Sequence, residues 1–372
     1  MLSGSIRDSG WRGIGLVAIT YVYFLIFAQF AFLKRLAELG IEDAHLKLVM
    51  AAMAIGGILC SLAVGYRLHT APPGRLLRIA LLVCSASAAA TIQHLTLAIT
   101  VLISFAIGCG LGLLTVTLVT HLPQWLGDSN HLFRVALGTG LGYFAVNIPW
   151  LFNATPRNQA LASTALCLVG FMLVSTKPTT SMETAEDQQH RRYPISFARV
   201  LLAFTTLVWL DSAAFFIVQN TPALKAGTWG GPLHLWSNGL LHLAAAIACV
   251  GLLRRYGLAA TLGTAVTFFA IACILLWRPG SIIAASVFYP IAVAIYSVAL
   301  VAYPALLAAP STSAERARRA GWIYAIAGWI GSAMGIGMGQ NLGHVPLLFI
   351  AAASAFILLP NLFVQLQGRR YA

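Results

Sequence analysis

Long, unbroken apolar runs are the feature that most limits how this chain can fold. They recur along all 372 residues and show no alternation of polar and apolar positions. A helix of about 20 apolar residues crosses the hydrocarbon core of a bilayer, where only helices and closed barrels satisfy their own backbone polar groups. The runs therefore predict an all-α, polytopic membrane protein.

Composition excludes several other classes of protein. Hydrophobic residues make up 59% of the chain and charged residues 9%, whereas a soluble domain carries roughly 25% charged residues. The six cysteines lie in apolar runs without paired spacing, so neither a disulfide framework nor a zinc knuckle is indicated. The sequence has no phosphate-binding Gly-Lys loop, nucleophile elbow or HExxH motif. We therefore expect neither an enzyme nor a cofactor, and the net charge of +13 is interpreted through membrane orientation rather than nucleic-acid binding.

The apolar runs predict twelve spans in two halves. The predicted spans are 13–34, 47–66, 77–94, 97–120, 134–153, 158–175, 198–218, 233–252, 258–276, 280–303, 320–340 and 345–364. The segment 176–197 is polar and is interpreted as a solvated cytoplasmic linker. The expected domains are therefore an N-terminal six-helix bundle (1–175), this linker, and a C-terminal six-helix bundle (198–372).

Basic residues predict the orientation. With these spans, 17 of the 23 Lys and Arg residues fall on the side of the two termini. Cytoplasmic loops collect Lys and Arg, so both termini are expected in the cytoplasm, in a bacterial inner (plasma) membrane. The six on the opposite side are Lys34, Arg35, Lys47, Arg157, Lys225 and Arg278.

Two Gly-rich segments resemble the major facilitator superfamily of transporters. One covers span 4, the next loop and span 5 (GCGLGLLTVTLVTHLPQWLGDSNHLFRVALGTGLGY), and its counterpart leads into span 11 (ERARRAGWIYAIAGWIGSAMGIGMG). The loop after span 2 (GYRLHTAPPGRLLR) keeps the glycines and basic residues of the family's best-known motif but lacks its Asp, which indicates a divergent member. The resemblance implies two pseudo-symmetric six-helix bundles and secondary transport by alternating access.

Spans 7 and 8 carry the main candidate site. Asp211 is the one carboxylate deep in a predicted span, and a charge at the bilayer centre costs about 2.5–3.5 kcal/mol, so such residues are usually functional. His234, Asn238 and His242 share one face of span 8 by their spacing of four. Asp211 and His242 each lie about 12 Å below the outer end of their spans, counted from Gln219 and His234. If these two faces meet, we expect Asp211 to pair with His242, and Gln219 or Asn220 to pair with His234.

Three interpretations of this pair remain open. It is a proton-coupling or substrate-binding site, a transition-metal site with Asp211, His242 and His234 as ligands, or a structural hydrogen bond between helices. Methionine pairs, Met50 with Met53 and Met334 with Met338, offer softer ligands for copper.

Residues on other spans complete the candidate site by analogy with the family, in which spans 1, 4, 7 and 10 line a central cavity. Tyr296 lies on span 10 within a stripe that also holds Tyr289 and Tyr303. Further candidates are Tyr21 and Gln29 on span 1 and Thr115 on span 4.

The expected function is transport of a small solute, coupled to protons by Asp211, with lipid and protons as partners. One alternative is a transporter of copper, nickel or iron with Asp, His and Met ligands. Another is a membrane receptor or assembly factor that kept the fold without transport.

Overall fold

A computed structural model gives the fold of the chain. It describes residues 10–40, 43–93, 96–127, 130–174, 195–308 and 311–370. Within these ranges the regular structure is entirely helical. Most of the predicted linker, 176–197, lies outside the described residues, so the proposed domain boundary stays a prediction.

The first six long helices follow the first six predicted spans closely. They are α1 (Trp11–Glu38), α2 (Asp43–Tyr66), α3 (Pro73–Ala90), α4 (Leu97–Thr120), α5 (His131–Val146) and α6 (Pro156–Leu173). Side-chain oxygens of Thr96 and Thr155 accept hydrogen bonds at the starts of α4 and α6, as N-cap residues do.

The remaining helices match the predicted second half. They are α7 (Phe197–Asn220), α8 (232–256), α9 (258–276), α10 (Ile282–Leu307), α11 (313–342) and α12 (Leu347–Arg370). Helices α8 and α9 form one run, Pro232–Leu276, which is broken only at Gly257 with φ 79°. Seven of the described helices, this run included, are long and apolar enough to cross a membrane by length and composition.

One predicted boundary is wrong in detail. The fifth span was expected to run unbroken over 134–153, but α5 ends at Val146 and a separate short helix covers Pro149–Phe152. Asn147 ends α5 by donating its side-chain amide to the Tyr143 carbonyl at 2.9 Å. Pro149 cannot donate to a continuing helix, and the residue before a proline avoids helical angles.

Alternating helix directions define two faces of the molecule. We call the face at which α1 starts and α12 ends the terminal face, and the opposite one the far face. Within the first six helices α2 and α4 are in close contact, since a Cβ at Gly112 would lie 2.6 Å from the Gly57 carbonyl oxygen. Small residues of this kind let helices approach in a membrane.

The two sets of six helices contact each other at both faces. At the far face the rings of Phe30 on α1 and Phe215 on α7 are 5.5 Å apart. At the terminal face the Trp322 indole on α11 donates to the Tyr66 hydroxyl on α2 at 2.7 Å. Between these layers, α5 packs on α8 and α10. The centre of the molecule is therefore closed from both sides.

Candidate functional site

Asp211 lies between α7 and α10, where two tyrosines hold its carboxyl group. The Tyr289 hydroxyl donates to Oδ1 and the Tyr296 hydroxyl donates to Oδ2, each at 2.5 Å. Both tyrosines are buried, at 6% and 5% exposure. Hydrogen bonds of this kind are what make a carboxylate tolerable away from water.

Aromatic rings surround this carboxyl–tyrosine group. The Phe269 ring on α9 lies 5.9 Å from the Tyr289 ring and 5.7 Å from the Tyr296 ring. Trp229, in the short helix Pro222–Trp229, lies 5.8 Å from Tyr289. These rings pack against the two tyrosines that hold Asp211.

Ser297, the residue after Tyr296, links α10 to the first six helices. Its side-chain hydroxyl shares a 2.9 Å hydrogen bond with the Tyr143 hydroxyl on α5. Its carbonyl accepts a longer bond of 3.4 Å from the Tyr21 hydroxyl on α1. The Tyr21 and Tyr143 rings are 5.0 Å apart. The helix that binds Asp211 is thus also hydrogen-bonded across the interface.

His242 lies in this interface rather than beside Asp211. It is 3% exposed, and its ring stacks on the Tyr143 ring at 4.3 Å with an angle of 7° between the planes. Its Nδ1 atom is buried without a hydrogen-bond partner. The contact joins α8 to α5.

The expected pairing of Asp211 with His242 is therefore wrong. The carboxyl group bonds to α10, and the imidazole packs on α5. The physical reason is the position of α10, which contacts α7 through Asp211 and contacts α8 through a hydrogen bond from the Cys249 thiol to the Ile295 carbonyl at 3.5 Å. Consecutive helices in the chain were assumed to face each other, and α10 lies between them at this depth.

Other predicted site residues have local roles. Asn238 is buried and donates to the Thr228 carbonyl at 2.9 Å, and Thr115 donates to Leu111 of its own helix at 2.7 Å. These bonds secure the side chains within their own part of the fold. His234 and Gln29 are partly exposed.

Neither Gln219 nor Asn220 forms the expected hydrogen bond with His234, and the Asn220 side-chain amide donates instead to the Phe216 carbonyl at 2.8 Å. The Gln219 Nε2 atom is buried without a hydrogen-bond partner. The far-face end of α7 therefore keeps an amide donor free inside the molecule.

The sequence reasoning missed Tyr143 and Ser297 altogether. Tyr143 is the one tyrosine in the Gly-rich α5, and an aromatic side chain among glycines was a signal that this position meets another helix. Ser297 had no signal beyond its place next to Tyr296. Tyr289 was noted only as part of a stripe, and its bond to Asp211 makes it a central residue of the site.

The metal interpretation lacks a matching ligand set in the described part of the chain. Nowhere in those ranges do three His, Cys, Asp or Glu side chains lie close enough together to hold an ion. Asp211 and His242 have different neighbours, as above, and His234 lies eight residues from His242 along α8.

Comparison with known proteins gives a match in structure but not in sequence. No family model matches the sequence, and no curated protein matches it. The structure of FucP, a major facilitator superfamily transporter in the outward conformation, is similar at TM-score 0.67 and 13% identity, over 94% of this chain and 97% of that one. A variant of FucP, the E. coli fucose:proton symporter, matches with the same values.

A human protein has a similar structure. The organic anion transporter MFSD10 (TETRAN) matches at TM-score 0.65 and 13% identity, over 95% of this chain and 97% of that one. The similarity in each case covers nearly the whole of both chains. This chain therefore has the fold of the major facilitator superfamily of membrane transporters.

Proposed function

We propose that the protein is a secondary active transporter that moves a small solute by alternating access and couples this movement to protons through Asp211. The observation that carries the proposal is the bonding of one deep carboxyl group to two tyrosine hydroxyls of α10. Proton coupling needs a group whose charge changes inside the bilayer, and ionisable residues within spans are usually functional.

The bonds of Asp211 provide a route from protonation to movement. An ionised carboxylate accepts two hydrogen bonds from Tyr289 and Tyr296, whereas a protonated one carries a hydrogen of its own and accepts more weakly. Loss of either bond weakens the contact between α10 and α7. Because Ser297 on α10 also bonds to Tyr143 on α5, such a change reaches the interface between the two sets of six helices.

The chemistry of the centre suggests the class of solute. Hydroxyl groups and aromatic rings dominate, and Asp211 is the one acidic group in the described core of the spans. These groups suit a small neutral, amphiphilic or cationic solute. A polyanion needs buried Arg or Lys to bind.

Orientation and location belong to the same proposal. The excess of Lys and Arg on the terminal side supports a cytoplasmic terminal face and a far face on the outside. The inner membrane of a bacterium is the proposed location, with the N-terminal bundle, the linker and the C-terminal bundle divided near 175 and 198.

The test begins with a screen for the solute. Purified protein is heated with candidate solutes at several pH values, because a ligand that binds only the folded protein raises its melting temperature. The best solute is then used with proteoliposomes in two assays, accumulation driven by an imposed pH gradient and exchange of solute without a gradient.

Asp211→Asn separates coupling from transport. The amide keeps the shape of the carboxyl group and cannot exchange a proton. We expect gradient-driven accumulation to fall by at least about tenfold, the loss of about 1.4 kcal/mol of coupling, while exchange continues. Accumulation by the variant at the wild-type level would contradict the proposed role of Asp211. If no solute stabilises the protein and no flux is measured, the receptor or assembly factor is the better interpretation.

A further inference from the structure

Two cysteine thiols lie side by side where α2 meets α4. Cys60 on α2 and Cys109 on α4 are within hydrogen-bonding reach of each other. Both are partly exposed, whereas the other four cysteines of the chain are buried. The pair belongs to the first six helices and is separate from Asp211 on α7.

The packing of α2 on α4 brings these two positions together. The two helices run in the same direction, from the far face to the terminal face. A Cβ at Gly56 would lie 3.2 Å from the Cys109 backbone nitrogen, and a Cβ at Gly112 would lie 3.0 Å from the Ser61 backbone nitrogen. Cys60 comes between these two close contacts along α2. Helices in such close contact can bring facing cysteines within the Cα separation of a disulfide, about 4.4–6.8 Å.

The Cys109 side of α4 faces lipid. Leu102, Phe105 and Cys109 share one side of the helix by their spacing of three and four residues, and the first two side chains are 67% and 37% exposed. Exposed apolar side chains on a span are those that contact lipid tails. Cys109 is 12 residues from Leu97 and 11 from Thr120, the ends of α4, and is therefore roughly 17 Å along the axis from either end.

This position limits the reagents that can reach the pair. A charged molecule pays a large free-energy cost to enter the centre of a bilayer. An uncharged molecule that dissolves in lipid does not pay that cost and can approach the partly exposed sulfur atoms from the side of α4. Adjacent thiols undergo stepwise exchange with a disulfide, since the second thiol is already in place to displace the first product.

We propose that Cys60 and Cys109 are an oxidation site that reacts with an uncharged, lipid-soluble organic disulfide and closes to a disulfide bond between α2 and α4. One protein thiol attacks a sulfur of the oxidant, whose S–S bond breaks as a mixed disulfide forms and the first small thiol leaves. The other protein thiol attacks the mixed disulfide and releases the second small thiol. Two protein thiols are oxidised, one small disulfide is reduced, and the two protons go to the leaving sulfurs. The inference goes beyond the proposed transport and does not depend on Asp211.

Disulfide mapping of the protein in liposomes tests the site. Reduced protein is treated either with 2,2′-dithiodipyridine, which is uncharged, or with oxidised glutathione, which is charged. Remaining thiols are blocked, and the unfolded chain is digested with trypsin, which cleaves after Arg67, Arg75 and Arg78. The peptide with Cys60 and the peptide with Cys109 then stay together only through a disulfide, which mass spectrometry detects.

We expect dithiodipyridine to join the two peptides at least about tenfold faster than oxidised glutathione, since access limits the reaction of buried thiols. The bond should be absent in Cys60→Ser and Cys109→Ser. It should persist in Cys84→Ser, the matched control, because Cys84 lies on the same tryptic peptide as Cys109. Cys84 and Cys167 are neighbouring thiols at 0% exposure and should stay reduced.

Three results would overturn the proposal. Two stable mixed disulfides without a cross-link would show that the two sulfur atoms cannot meet. A cross-link that is lost in Cys84→Ser would assign the bond to a different pair. Equal rates with the two oxidants would show that the pair is not reached through lipid.

The melting temperature shows whether the bond fits the native fold. A disulfide between positions 60 and 109 constrains the unfolded chain, so oxidised wild type should melt about 5 °C above reduced wild type. Cys60→Ser, treated in the same way, should show no rise. An unchanged or lower melting temperature in oxidised wild type would mean that the bond forms only by distorting α2 and α4. That result, or an equal rise in Cys60→Ser, would also overturn the assignment.

Discussion

Two phenol hydroxyls of α10 bind one carboxyl group of α7 inside the bundle. Tyr289 and Tyr296 are seven residues apart, or about 10.5 Å along the axis of α10, yet each reaches a different oxygen of Asp211. The two side chains therefore lean toward each other from positions about two turns apart on α10. This geometry fixes the height of Asp211 relative to α10, and any change in the charge of the carboxyl group acts on two turns of that helix.

Removing one hydroxyl tests the cluster at the residue scale. Tyr296→Phe and Tyr289→Phe keep the rings that pack on Phe269 and delete one bond each. We expect each variant to lose about 1.5–3 kcal/mol of unfolding free energy in detergent, the value of a hydrogen bond to a charged group, and to shift the pH dependence of gradient-driven transport.

Tyr303→Phe is the matched control for these variants. Tyr303 continues the same stripe seven residues on, is buried at 4% exposure, and does not bond to Asp211. It should leave the pH profile of transport unchanged. An equal shift in all three variants would mean that tyrosine rings, and not their bonds to the carboxyl group, determine the effect.

At the scale of single helices, α2 and α11 meet at the terminal face through closely packed backbone. Gly65 and Gly321 face each other, and a Cβ at Gly321 would lie 2.9 Å from the Ser61 carbonyl oxygen. Next to them Trp322 donates to Tyr66, and the two rings are perpendicular at 6.4 Å. The loop after α2 lacks the acidic residue that the family's motif carries. Close backbone contact and one aromatic hydrogen bond join the two helices here.

A methyl group at Gly321 is expected to weaken this closure. In Gly321→Ala the added Cβ meets backbone that cannot move aside cheaply, so α11 shifts away from α2. The buried position 61 reports the change. The thiol introduced by Ser61→Cys, in a Cys60→Ala background, should react with a reagent added at the terminal face several-fold faster when Gly321→Ala is present than when it is absent. Gly328→Ala is the control on the same helix, because a Cβ there meets only Tyr324 at 3.7 Å or more. Identical labelling in both variants would contradict a closing role for the glycine pair.

The sequence was enough to predict the helices, but it did not predict which helices contact each other. Apolar run length predicts α7, α8 and α10 because lipid forces each span to satisfy its own backbone bonds. Which face of α8 meets which helix depends on packing across the whole bundle. His234, Asn238 and His242 do share a face, as spacing predicts, but that face serves Thr228 and Tyr143. Asp211 was identified because a charged side chain inside the bilayer costs free energy. Its two tyrosine partners could be identified only from the three-dimensional structure.

At the scale of the whole molecule, charge at the terminal face links stability to pH. His121 follows α4, is 7% exposed and has a buried Nδ1 atom without a partner. Burial, with the positive Arg316 of α11 and His69 nearby, lowers the pKa of His121 from 6.5 to about 4. The fold therefore favours the neutral ring. The neutral His121 ring makes its full contribution to the free energy of unfolding above pH 6.5, and this contribution is lost as the pH falls toward 4.

We expect the melting temperature of the wild type to fall more steeply than that of His121→Gln between pH 6.5 and pH 4. Gln cannot take up a proton, so the difference in the fall should be about 2–4 °C, which corresponds to about 1 kcal/mol in a large domain. Differential scanning fluorimetry across this range measures it, with His234→Gln at a partly exposed position as the control. Parallel profiles for the wild type and His121→Gln would exclude His121 as the titrating group.

Helices α8 and α9 are joined by a single non-helical residue, Gly257, so a movement of one helix is passed directly to the other. Helices α8 and α9 both reach the same level of α10, through Cys249 beside Ile295 and through Phe269 beside Tyr296, so the chain doubles back at Gly257. A connection of one residue does not let the two helices move independently. In the proposed alternating-access cycle, a movement of His242 away from Tyr143 would tilt α8, and α9 would have to move with it. A few flexible residues inserted at this joint should let each helix swing independently, and substrate would then leak through without its proton.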